Sequence, residues 1–508
     1  MLLISPDEAA RRTYDACVIG SGASGSVAAA VLAERGLSVL VVEQGGPIPP
    51  GADGEDHEDP DGWAFARRDG RWTRDGYPWT AMALGGGTLF YAGMSYRYQQ
   101  TDLAPPSSFL GAADYDHWQV GLADLEPHYE WIEYQLAIAG PSRKQVGDYV
   151  FPVYHRPSLP LTPPGAALAE GARSLHLTPL PTPVAISGVR DRFGPGCAQT
   201  TPCTSFSCPT KAKADVVSRV LAPAEGDVSV VVHTRVVRLV ASSPHRVDAV
   251  EVLDRENGTR LTLRARRFLL AANAIQSAAL LLRSTTRTEP DGIGNRHGLV
   301  GRHLAMKNSV YVRGTIPRRL PGYTPLRHRY SSVCVLDFLT GEAFPDGIGG
   351  LIHEANPWEP AAEREAARGT LLQVECLVGD RPQAENRVRL SRTRDRDGLP
   401  RIVMDYRPHP ADLRRLAVLS ERAHDILTKA GAVDVREVDT AYELGSAHLH
   451  GTLRAGRDPR TSVTDPFGRL HDHDNVWSVD GATFPFAGNP NPTLTIQANA
   501  HRIALAID

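Results

Sequence analysis

Lysine is scarce in this 508-residue chain, confined to Lys144, Lys211, Lys213, Lys307 and Lys429, and arginine supplies the rest of the positive charge. The net charge of -3 is too small to point to nucleic acid or a membrane surface as partner. Long hydrophobic runs are also missing: none approaches the roughly 18 apolar residues that a spanning helix needs. The N-terminal MLLISPDEAARR has acids where a basic leader region would stand, so no export signal is read and a cytoplasmic location is expected. No internal repeat or low-complexity tract interrupts a globular composition of 42% hydrophobic and 22% charged residues. Cysteine is limited to Cys17, Cys197, Cys203, Cys208, Cys334 and Cys376. Cys17 sits in an apolar strand pattern and reads as a buried thiol. Cys197, Cys203 and Cys208 lack the tight CxxC pairs of zinc and iron–sulfur sites, so no metal is expected. A Cys197–Cys208 disulfide and three free thiols both fit the spacing.

What is present begins with a βαβ unit. Tyr14–Ile19 reads as a strand, Gly20-Ser21-Gly22-Ala23-Ser24-Gly25 as its turn, SVAAAVLAERGL as a helix, and Ser38–Val42 as a second strand ending at Glu43. In this GxGxxG, Gly20 makes the tight turn, Gly22 lets backbone approach a pyrophosphate with Ser24 beside it, and Gly25 allows close helix–strand packing. Glu43 is the acid expected on an adenosine ribose, and a Glu there argues against a 2′-phosphate. The Pro- and Gly-rich Gly46–Tyr77 reads as a long excursion or lid. A second glycine cluster, Leu84–Met94, again lets backbone approach a flat or phosphorylated surface.

Leu122–Gly140 and Ala411–Ala430 read as helices, and Val150–Pro183 as irregular. Asp227–Val240, Val247–Leu253 and Arg260–Ala272 read as strands, the last leading into Asn273–Ser277 as a second strand–turn–helix junction, which returns the chain to the nucleotide sheet. Alternating runs between Val310 and Asp405 (SSVCVLDF, GTLLQVECLV, NRVRLS) predict a mainly antiparallel sheet. The stretch Ser446–Gln497 is dense in His, Gly, Asp and Asn, and reads as an active-site wall completed by the end of the chain.

Together these segments resemble the glucose–methanol–choline family of flavin oxidoreductases. The resemblance rests on the dinucleotide motif with Glu43, GGGTLFYAGMSYR at Gly85–Arg97, Val300-Gly301-Arg302-His303-Leu304, ENRVRLS and the C-terminal stretch. It implies an α/β fold in which a discontinuous Rossmann-like FAD-binding domain (1–100, 205–305 and 455–508) carries an α+β substrate domain (101–204 and 306–454) with a mainly antiparallel sheet. It implies FAD contacts at Gly86, Gly87, Thr88 and Gly93, at Val236 on the adenine side, at Asp480 and Gly481 along the pyrophosphate and ribityl chain, and at Asn491, Pro492 and Thr493 by the flavin ring. His448, in the phrase His448-Leu449-His450-Gly451-Thr452, takes the place of the active-site base, with Asn491 as its partner. His450 is a second candidate, two residues further along. His471 and His473 read as a solvated turn.

Hydride transfer from carbon to flavin requires the alcohol to lose its proton, a task suited to an imidazole, while a neutral amide steadies the developing alkoxide. The positions matching the family's flavin-linking histidine are Leu89, Phe90, Tyr91 and Ala92, so the FAD is expected to be noncovalent. The Cys-bearing CPTKAKAD segment and the chain's ending resemble the sugar-oxidising branch, and within it the enzymes that turn a primary hydroxymethyl group into an aldehyde during aminoglycoside antibiotic assembly, with onward oxidation to the acid left open. Such a substrate implies carboxylates, with Glu375, Asp439 and Glu443 as candidates. The electron acceptor is left as dioxygen or another. Two alternatives remain: a respiratory-type sugar dehydrogenase feeding a cytochrome or quinone, and a flavoprotein binding module without catalysis.

Overall fold

The computed structural model describes residues 1–54, 57, 65–68, 71–74, 80–111, 118–142, 144–191, 194–325, 330–357, 360–438 and 448–508. The βαβ unit consists of β1 (Thr13–Ile19), α1 (Ala23–Glu34) and β2 (Val39–Val42), the two strands parallel. β2 is four apolar residues, all buried, as expected of a parallel strand covered on both faces. α1 is built of small residues and is buried through nearly its whole length.

The chain returns to this sheet at β3 (Val228–Val231), parallel to β2, and then makes an antiparallel meander of β4 (Thr234–Ser243), β5 (Arg246–Asp254) and β6 (Arg260–Leu270). β6 is long enough to serve two neighbours on one edge. Its first residues pair with β5, its last three pair in parallel with Val476–Ser478, and its other edge pairs in parallel with β1. The carboxyl ends at Ile19, Val42, Leu270 and Ser478 therefore lie side by side, and the loops after them meet. α2 (Asn273–Arg283) follows β6.

A second, wholly antiparallel sheet contains β7 (Asn308–Ile316), β8 (Val333–Val335), β9 (Leu351–Glu354), β10 (Thr370–Val378) and, after α3 (Pro410–Lys429), β11 (Val433–Val438). The spatial order is Pro179–Pro181, β8, β9, β10, β7, β11. Val312, Leu372 and Val374 on one face pack against Leu416, Leu419 and Ile426 of α3 and Leu168 of the helix Pro163–Ser174. Each such aliphatic side chain contributes about 1.5–3 kcal/mol on burial. The opposite face carries Tyr311, His353 and Glu375 beside a second apolar cluster that includes Leu351 and Leu377.

Three sequence expectations change. Val150–Pro183 is not irregular throughout: Thr162 caps a helix by accepting from Gly165 N at 3.0 Å, and Pro163 and Pro164 occupy the first turn, where no amide hydrogen is needed. The strand Arg387–Arg394 leaves the antiparallel sheet and pairs with Pro400–Asp405 in a separate small one. Of the two histidines read as a solvated turn, His473 is buried and His471 is half-buried. His473 Nε2 lies 3.1 Å from Glu289, and His471 Nε2 lies 2.8 Å from Ser462 Oγ. Part of the Gly46–Tyr77 excursion lies outside the described residues, and the part described includes the paired strands Phe65–Arg68 and Arg71–Arg74.

None of the six cysteines is in a disulfide, and burial pushes the Cys17 thiol up to about 12. Among the described residues no helix is long and apolar enough to cross a membrane. The last helix, α4 (Thr493–Ala506), packs in the same apolar core as α1 and ties down the terminus.

Candidate active site

A cavity of about 490 Å³ opens where the parallel strands end, and it reaches across to Tyr311, His353 and Glu375 on the antiparallel sheet. At its nucleotide end Gly20 turns with φ +102, and a Cβ there would lie 2.5 Å from the carbonyl oxygen of Ala271, so the exits of β1 and β6 press together. Gly22 is the N-cap of α1, with no side-chain cap and open space where a Cβ would be. The free N–H groups and positive end of that helix suit a phosphate. Gly86, at φ +54, comes so close that its Cβ would lie 2.9 Å from Gly22 Cα, which brings the second glycine cluster onto the first.

Ser24, Gly87, Thr88 and Val236 share this wall with Gly20, Gly22 and Gly86. Glu43, also on it, accepts from Ser21 N, Ser21 Oγ and Gly45 N at 2.9, 2.7 and 2.9 Å. Burial pushes its carboxyl up, against the pull of those donors. Asp480 and Gly481 follow the strand Val476–Ser478 onto the wall. Asp480 accepts from Ser277 Oγ at 2.6 Å and Ala482 N at 3.0 Å, and burial pushes it up to about 6. An uncapped helix end, a glycine cradle and a buried acid together fit a dinucleotide cofactor. Gly25 and Gly93 are off the wall. Gly25 packs α1 onto the turn, and Gly93 makes a positive-φ turn against Ile186.

Asn491, Pro492 and Thr493 line the cavity at the uncapped start of α4. Asn491 Nδ2 donates to His448 Nε2 at 3.1 Å, so Nε2 is the unprotonated, accepting nitrogen of a ring on the cavity wall. Burial, followed by the neighbouring Lys307, holds His448 well below the usual histidine range. The loop carrying Asn491 is held from three sides. Lys307 Nζ donates to the carbonyls of Asn489 (3.0 Å) and Pro490, Asn489 N donates to Asp102 at 2.8 Å, and Gly379 N donates to Asn489 Oδ1 at 3.0 Å. Lys307 is fully buried, and desolvation lowers it to about 7.

His450 does not reach the cavity. Its backbone pairs with Ala305, and its ring is fully buried. Nδ1 donates to the carbonyl of His448 at 2.7 Å, so Nε2 accepts from Tyr98 OH at 3.0 Å. Residues two apart share a face in a regular strand, but here only His450 is paired, to Ala305, and the two rings reach different surroundings: the second candidate, His450, holds the backbone of His448 and does not line the cavity. Glu375 lines the cavity, 3.2 Å from His353 Nε2. Glu443 and Asp439 lie outside the described residues. His353, Asn356, Tyr311 and Lys307 were not legible in the sequence. The alternation of LIHE and LQVECLV places His353 and Glu375 on one face only once the pairing of β9 with β10 is known.

Models of the GMC oxidoreductase family match residues 166–307 and 382–500 of the chain, and a model of an NAD(P)-binding Rossmann-like domain matches 18–71. The chain belongs to the GMC oxidoreductase family. Members of this family are FAD-dependent, so FAD is the dinucleotide this GMC oxidoreductase holds. It is 41% identical to paromamine 6'-oxidase of Streptomyces fradiae, covering 98% of this chain and 91% of that one. It is 42% identical to 6'''-hydroxyparomomycin C oxidase of Streptomyces lividus, covering 98% and 92%. Among solved structures, pyridoxine 4-oxidase from Mesorbium loti superposes with TM-score 0.66 at 19% identity over 97% of this chain and 98% of that one. A formate oxidase superposes with TM-score 0.69 at 14% identity over 97% of each chain. At these identities the two structures show the shared fold.

Proposed function

We propose that this GMC oxidoreductase oxidises a primary alcohol of an aminosugar to the aldehyde, with His448 as the base and Asn491 as the donor that holds the alcohol oxygen. The observation that carries the chemistry is the 3.1 Å pairing of Asn491 Nδ2 with the unprotonated Nε2 of His448 on a wall shared with the dinucleotide cradle. An alcohol oxygen that takes the place of this contact accepts from Nδ2 and donates to Nε2. Losing that proton to Nε2 makes the oxygen electron-rich, and the amide stabilises it without adding charge. FAD, when bound, supplies the hydride acceptor. The phosphates are assigned to the Gly20–Gly25 turn and the Gly86–Thr88 segment, and the ribose to Glu43.

The identity to two aminoglycoside-modifying oxidases supports the aminosugar, and their being oxidases supports dioxygen as the acceptor. The test is anaerobic bleaching of the flavin by paromamine set against glucose and simple alcohols, followed by peroxide measurement in air. Faster bleaching by paromamine with one peroxide per aldehyde is the expected result, and equal bleaching by glucose would sink the aminosugar reading.

Two further expectations follow from the same residues. His448 must be neutral to act, and its folded-state pKa lies below the ordinary ~6.5, so activity is present above that depressed value and lost only as pH falls through it. The acid limb of kcat/KM then lies below pH ~6.5, and a limb at or above pH 7 contradicts the assignment. With Leu89, Phe90, Tyr91 and Ala92 at the linking positions, acid precipitation releases yellow FAD into the supernatant. A yellow pellet would show covalent attachment.

A further inference from the structure

His353 on β9 and Glu375 on β10 are direct cross-strand partners, and Tyr311 on β7 stands opposite Glu375 on its other side. Because strand side chains alternate, Leu372, Val374 and Cys376 face the helices, and the row Tyr311, Glu375, His353 faces the cavity. His353 Nδ1 lies 3.1 Å from the carbonyl oxygen of Glu354. A carbonyl only accepts, so Nδ1 carries the hydrogen and Nε2 of the neutral ring is a lone pair.

That lone pair is buried without a hydrogen-bond partner and stands 3.2 Å from Glu375 Oε2, which is also an acceptor. Three residues further along, Asn356 on the cavity wall has its Oδ1 buried without a partner. Buried acceptors left without donors are costly, and two of them stand here beside a carboxylate. The basic side chains on the cavity wall among the described residues are Arg235 and Arg283. Arg235 is paired with Asp395 and Asp397, and Arg283 donates to the Pro400 carbonyl.

We infer that His353 Nε2, the Glu375 carboxylate and Asn356 Oδ1 form a receptor for an ammonium group of the substrate, in the same cavity as His448. An ammonium brings one positive charge and three N–H donors to two neutral acceptors and a carboxylate. A sugar hydroxyl brings one donor and no charge, and leaves the other acceptors unmet. The inference rests on the aminosugar reading of the preceding subsection and identifies the residues that select for it. His353 and Asn356 are specificity residues, not part of the proton transfer at His448.

The experiment compares anaerobic flavin bleaching by paromamine and by its N-acetylated derivative in the wild-type holoenzyme, Glu375→Gln and His353→Leu, with bound FAD checked by its absorbance and by dithionite reduction. The wild type is expected to favour the amine by about 10²-fold in kcat/KM. Either variant should cut that ratio by at least about tenfold, chiefly through KM, and Glu375→Asp should restore part of it. If Glu375→Gln does not hold FAD, His353→Leu reads the same ratio. A ratio unchanged in flavin-loaded variants, with the wild type still preferring the amine, overturns the receptor and leaves the aminosugar reading standing. A wild type with no preference for the amine overturns the aminosugar reading, and the receptor with it.

Discussion

His448→Ala is expected to slow flavin reduction by the alcohol about 10²–10⁴-fold while the holoenzyme keeps its FAD, the range in which positioned acid–base groups contribute. The ring is on the cavity wall, its Nε2 carries no hydrogen, and an amide points at the same spot from 3.1 Å away. Removing the ring leaves the hydroxyl proton without an acceptor. Dithionite should still bleach the variant fully, which separates loss of proton transfer from loss of cofactor. Normal bleaching by substrate would remove His448 from the chemistry. His450→Ala is a different perturbation, because it removes the donor that holds the His448 carbonyl and leaves Tyr98 OH without its acceptor.

Gly25→Val is expected to weaken FAD retention on the order of 10–100-fold and to lower thermal stability, corresponding to about 1–3 kcal/mol of overpacking. A Cβ at position 25 would sit 2.0 Å from the carbonyl oxygen of Gly20 and 3.0 Å from Ala271 Cβ. Backbone cannot swing aside as a long side chain can, so α1 must move off the turn. Its uncapped N–H groups then leave the position from which they meet a phosphate. Flavin content after gel filtration and Tm with and without excess FAD read the effect. Full flavin content with an unchanged Tm would show that the helix tolerates the side chain.

Legibility followed the range of the interactions. The βαβ unit could be read directly because its turn, helix and strands are contiguous and each glycine has a local geometric duty. The return of the chain at Phe268–Ala272 was legible for the same reason. The helix Pro163–Ser174 was hidden by its prolines, whose tolerance depends on Thr162 capping the next turn. His471 and His473 looked like a polar turn because the sequence does not show Glu289 and Ser462 arriving to meet them. Lys307 illustrates the same limit, since its role comes from carbonyls at Asn489 and Pro490 far along the chain.

By itself, then, the sequence determined the nucleotide half of this protein, its family and the pair His448 and Asn491 as residue types in a familiar phrase. Only the tertiary structure decided which of His448 and His450 faces the cavity, because that depends on the pairing of His450 with Ala305 and on Tyr98 closing over its ring. It likewise decided that His353 stands beside Glu375, a neighbour relation created by strand pairing between residues distant in the chain. The physical reason is that motifs encode backbone geometry within a few residues, whereas a substrate pocket is made of side chains that only sheet register and helix packing bring together.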